Sequence, residues 1–150
     1  MMLVAAPVGA ADLTGSWDGE AECTGFFAGA KYKETFTGST LNISQSGLDI
    51  NMEFLGVVYN GAVIVDSKDS RKGEGSFLSC NTQVEPIGVF NEIGHMKVQV
   101  DNLKNKTSFK AVSVYAQGAG NVATCKWTFE RTSANNPNVS ACSAPTLAAN

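Results

Sequence analysis

The most regular stretch of the chain is Asn121–Ser133, where Ala123, Cys125, Trp127, Phe129 and Arg131 alternate with Thr124, Lys126, Thr128 and Glu130. A period of two turns successive side chains to opposite faces, so this stretch reads as a half-buried β-strand. Arg131 shares its face with an indole and a phenyl ring, where a guanidinium needs an aromatic surface to lie on or a carboxylate to pair with. The best partner is Trp17, near the other end of the chain. The same alternation recurs upstream. Over 15–23, Trp17, Gly19, Ala21 and Cys23 oppose Asp18, Glu20 and Glu22. Over 48–54, Leu48, Ile50, Met52 and Phe54 point inward. Over 95–101, Met96, Val98 and Val100 point inward while His95, Lys97, Gln99 and Asp101 face solvent.

Other segments are strands with interruptions. Over 31–45 the pattern changes parity between Tyr32, Glu34, Phe36 and the later pair Leu41, Ile43, so Gly38 is the expected bulge or bend. The segment 57–66 has two readings. Asn60-Gly61 is a hairpin signal, or the turn lies at Leu55-Gly56 and Gly61 is a bulge within one strand; matched strand lengths favour the second. Short strands follow over 75–81 and over 86–101, the latter with a candidate break at 91–94. The strand over 107–117 is apolar at both parities in its second half, which leaves its inner face open. Residues 24–30 read as a loop carrying the apolar pair Phe26-Phe27, and 67–74 as a solvated, charged loop. This amounts to about eight antiparallel strands, with nine or ten as variants, joined by Gly-, Asn- and Ser-containing turns. Short connections favour an up-and-down meander, and closure into a barrel removes its exposed edges.

Length and composition set the frame. A chain of 150 residues fits one domain and buries roughly two-thirds of its unfolded surface. A net charge of −3 provides no basic footprint for nucleic acid, and no apolar run approaches the ~20 residues of a membrane helix. Residues 1–11 differ from the rest. The stretch LVAAPVGAA, with small residues at the −3 and −1 positions, reads as the remnant of a signal peptide. The organisation expected is therefore leader remnant 1–11, barrel 12–133 and tail 134–150 tethered by a disulfide. Export places the protein in the periplasm or outside the cell. There the four cysteines, Cys23, Cys80, Cys125 and Cys142, read as two disulfides. If Trp17 lies opposite Arg131, antiparallel register brings Cys23 opposite Cys125. The turn-rich tail ahead of Cys142 also suits a return to Cys80 or Cys125, so the pairing stays open.

Gly15-Ser16-Trp17 on a first strand, with Arg131 on a last one, resembles the calycin superfamily of lipocalins, fatty-acid-binding proteins and avidins. The resemblance implies a barrel plugged at one end by stacking of Trp17 and Arg131 and open at the other. The wording LTGSW is similar to the first strand of avidin-like proteins. Those proteins line a biotin pocket with several further tryptophans, whereas the only other one here is Trp127. Biotin is not implied.

No catalytic constellation is visible. The sole histidine, His95, sits on a polar parity, so neither a nucleophile–histidine arrangement nor a paired-histidine metal set can be assembled around it. The reading is a non-enzymatic binding barrel without cofactor or metal. Its ligand is small and largely apolar, lined by Leu48, Ile50, Met52, Phe54, Met96 and Val98, with Phe129 deeper toward the plug. The alternative is a solid-cored interaction module that meets a protein partner through Phe26-Phe27 and the 67–74 loop.

Overall fold

A computed structural model describes residues 12–65, 71–80, 82–84, 88–101, 106–118 and 120–142. The strands are β1 (Gly15–Phe27), β2 (Ala30–Ser46), β3 (Asp49–Phe54), β4 (Val57–Val65), β5 (Lys72–Ser79), β6 (Thr82–Val84), β7 (Gly88–Asp101), β8 (Lys106–Gln117) and β9 (Asn121–Ser133). All pairings are antiparallel, and sequence neighbours other than β5 and β6 pair along the sheet. β1 pairs with β9 and β5 with β7, which closes the sheet. β6 pairs with β7 beyond the point where β5 leaves it, so β5 and β6 occupy one position in the wall. The result is a closed, eight-stranded up-and-down barrel.

Several local features follow from single residues. β1 runs on to Phe27, four residues past the expected end at Cys23, because the reversal is the tight turn at Ala28 and Gly29, both with positive φ. The β1–β2 register slips by one at Gly38, whose φ of +70° places it in the left-handed region. That bulge is what lets Tyr32, Glu34 and Phe36 share an interior with Leu41 and Ile43 despite their opposite parity. The β3–β4 turn lies at Leu55-Gly56. Gly61 pairs with Ile50 without any register shift, so it is not a bulge. β7 continues unbroken through 91–94. Gly94 there is a packing position, because a side chain on it would collide with the ring of its cross-strand partner Phe77.

Trp17 and Arg131 are register partners at the seam, as are Cys23 and Cys125, which form a disulfide. The second disulfide joins Cys80 to Cys142. From the end of β9 the tail crosses the outside of the barrel. Ser44 Oγ donates to Asn136 Oδ1 (2.7 Å) and accepts from the Val139 amide (2.8 Å), which fixes the route to Cys80. Residues 1–11, the first half of the charged loop (67–70) and 143–150 lie outside the described residues, so the leader reading falls there too.

Candidate functional site

The barrel interior divides into two levels. At the plugged end, Leu13, Trp17, Leu41, Ile43, Met52 and Phe109 are fully buried. Trp17 Nε1 donates to the Leu13 carbonyl (3.1 Å), which fastens the entering chain across this end. The Arg131 guanidinium carbon stands 5.6 Å from the Trp17 ring centroid, while Nη1 donates to the carbonyls of Asp12 (2.9 Å) and Thr14 (3.3 Å). Of the two partners expected for it, an aromatic face or a carboxylate, the arginine takes the aromatic face, and backbone carbonyls accept its hydrogens.

Above this packed level the interior is hollow. A cavity of about 400 Å³ occupies the other half of the barrel. It opens at the end where Phe27 (45% exposed) and Leu55 (52% exposed) stand. Its floor is aromatic. The Trp127 ring lies 5.0 Å from Phe54 and 5.8 Å, edge to face, from Tyr59. Phe77 supports Trp127 from beneath at 5.3 Å. Ala21 and the Cys23–Cys125 disulfide line the seam side of the wall, and Phe90 stacks beside Tyr115 nearer the mouth (5.3 Å).

Of the Glu34, Gln117 and Glu92 side chains in this lining, only Glu92 is buried. Glu92 on β7 is buried (4% exposed), and its carboxyl borders the cavity. Tyr59 Oη donates to Glu92 Oε2 (2.7 Å) and the Ser113 hydroxyl is hydrogen-bonded to Oε1. Trp127 Nε1 donates to Ser113 Oγ (2.9 Å), which leaves the Ser113 hydrogen free to reach the carboxyl. The network runs Trp127 to Ser113 to Glu92, with Tyr59 donating from the other side. Ser79 Oγ accepts from the Glu92 amide (2.7 Å). Burial pushes the Glu92 carboxyl above the usual carboxylate range, opposed by the hydrogen bonds from Ser113 and Tyr59. Burial, then the Glu92 charge, also raises the Tyr59 hydroxyl, keeping it a donor. Toward the mouth, Tyr32 Oη donates to Glu34 Oε2 (2.8 Å), and the Tyr32 hydroxyl is raised chiefly by burial.

The expected lining had the right face and the wrong height. Ile50, Met52, Met96 and Val98 all point inward but fill the packed level below the cavity, where Phe129 lies too, deeper toward the plug as expected. Phe54 alone of the expected set borders the cavity. Leu48 does not point in at all. It sits in the β2–β3 turn, ahead of the first β3 residue, and is 52% exposed. Phe26 and Phe27 do not form one contact surface either, since alternation along β1 turns Phe27 to the cavity and Phe26 away from it. Glu92, Tyr59, Ser113 and Trp127 were missed as a site. Carrying the inward parity of Met96 and Val98 back through Gly94 reaches Glu92, and that was the signal available.

The architecture is therefore that of a closed antiparallel barrel, tied across its seam and hollow at one end. No family model matches the sequence, and no curated protein or solved structure matches it either, so the functional reading rests on the fold and the cavity.

Proposed function

We propose that this protein is an exported binding barrel of calycin type that holds a small, largely apolar ligand in the open half of its interior. The observation that carries this reading is the cavity of about 400 Å³, within the range of small-molecule sites, walled by aromatic rings and with one buried carboxyl, Glu92, at its floor. An eight-stranded barrel is just wide enough to be filled by its own side chains. Here the small residue Ala21 and the shift of Leu41 and Ile43 to the plugged level leave the upper half unfilled. The stacking of Arg131 on Trp17 across the first-to-last seam supports the calycin assignment. Two disulfides support an oxidising compartment, the periplasm or the extracellular space.

Native mass spectrometry of protein purified without ligand stripping tests the reading. The wild type should carry a co-purified mass that disappears on denaturation, and Ala21→Phe, which fills the cavity, should carry none. A wild type that is ligand-free and takes up no added 1-naphthalenemethanol in a saturable manner would overturn it.

A further inference from the structure

We propose that the ligand of this cavity is a cationic amine, an apolar body carrying an ammonium group that sits between the aromatic floor and the Glu92 carboxyl. This rests on the binding-barrel reading above and narrows it to a chemical class. Among the described residues the lining holds two carboxyl groups, Glu92 at the floor and Glu34 toward the mouth, and no lysine, arginine or histidine. A cavity built for a fatty acid or another anion needs a basic or neutral donor free to meet it. Among the lining's neutral donors, Tyr59 is spent on Glu92, Trp127 on Ser113 and Tyr32 on Glu34, and the others are the Tyr115 hydroxyl and the Gln117 amide.

The acceptor side is different. Each carboxylate oxygen has two lone-pair directions, and Tyr59 and Ser113 each occupy one oxygen once. Among the described residues, one acceptor direction per oxygen remains for a ligand N–H. The hydrogen bonds from Tyr59 and Ser113 favour the ionised carboxyl and so oppose the effect of its burial. A buried carboxylate with no cation beside it among the described residues is costly, and a ligand ammonium relieves that cost where a neutral isostere does not. The rings add a second attraction. Trp127, Tyr59 and Phe54 stand around the same end of the cavity, and the face of an aromatic ring attracts a cation. Glu34 places a further negative charge nearer the entrance, which favours entry of the same charge type.

The test compares three probes of one shape by isothermal titration calorimetry: 1-naphthylmethylamine, 1-naphthalenemethanol and 1-naphthoic acid. The expected order in the wild type is amine tighter than alcohol by about tenfold or more, with the acid weakest. Glu92→Gln should bring the amine down to the level of the alcohol while leaving the alcohol nearly unchanged. Glu34→Gln, an exposed substitution that leaves the interior packing intact, should narrow the amine's advantage by a smaller factor. Equal binding of amine and alcohol to the wild type, or a preference for the acid, overturns the inference while the binding-barrel reading stands. Binding of none of the three removes both. The wild-type ratio decides the matter even if Glu92→Gln does not fold.

Discussion

Trp17 on the first strand and Arg131 on the last are register partners, and the guanidinium carbon lies 5.6 Å from the indole centroid. This contact joins the two ends of the domain at the plugged end of the barrel. Arg131→Ala removes the stacked cation and leaves the Asp12 and Thr14 carbonyls without their donor. Chemical denaturation should show a loss of about 1–3 kcal/mol. Arg131→Lys should recover only part of it, since an ammonium offers neither the planar stack nor the forked donors.

The Cys23–Cys125 disulfide ties the same seam at cavity level and spans 102 residues of sequence. Long closed loops constrain the unfolded chain most. The double variant Cys23→Ala, Cys125→Ala should lose about 2–5 kcal/mol, and peptide mapping of the unreduced wild type should recover the pairs 23–125 and 80–142.

Gly94 gives the ring of Phe77 its place, and Phe77 in turn holds Tyr59 (5.5 Å) and Trp127 (5.3 Å). Gly94→Ala should destabilise by about 1–3 kcal/mol, the range for overpacking a dense interior. It should also perturb the near-ultraviolet circular dichroism of these rings, because Phe77 has to leave its position.

Glu92 makes stability depend on pH with a defined sign. Burial raises its folded pKa, so the folded protein keeps this proton at pH values where the unfolded chain has released it. Its contribution is full below the unfolded value, about 4.3 for a glutamate, and is lost as pH rises through the folded value. In thermal melts from pH 4 upward (about the unfolded value), the wild type should therefore lose Tm relative to Glu92→Gln, which does not titrate there. A wild type that gains Tm relative to the variant over that window would show that Glu92 is held charged.

How much of this was legible in the sequence depends on what each residue pattern encodes. Alternation names a face, so the strands could be reached from residue order alone, while the opposition of Cys23 and Cys125 followed only on the condition that Trp17 faces Arg131 and left the disulfide pairing open. Gly38 announced its bulge because the parity on its two sides disagreed. Alternation does not encode height along the barrel axis, which strand tilt and register decide. Ile50, Met52, Met96 and Val98 were therefore correctly turned inward and yet assigned to the wrong level. Leu48 failed for another reason: one turn residue before β3 was counted as strand. Glu92 was hidden because Gly94 looked like punctuation when it is room for a cross-strand ring, and a glutamate on an inward parity contradicts the burial rule unless its partners are known. Those partners, Tyr59 and Ser113, come from strands 33 and 21 residues away in sequence.

The most direct test of a ligand cavity at the Trp127 level uses the two indoles as internal probe and control. In a nitrogen-15 NMR titration with 1-naphthylmethylamine, the Trp127 Nε1–H signal should move saturably, because this indole forms the cavity floor. The Trp17 Nε1–H signal, closed in the plug against Leu13, should stay in place. If neither indole signal moves while amides on the outer wall do, the molecule binds its ligands on the surface and the account of a binding cavity is wrong.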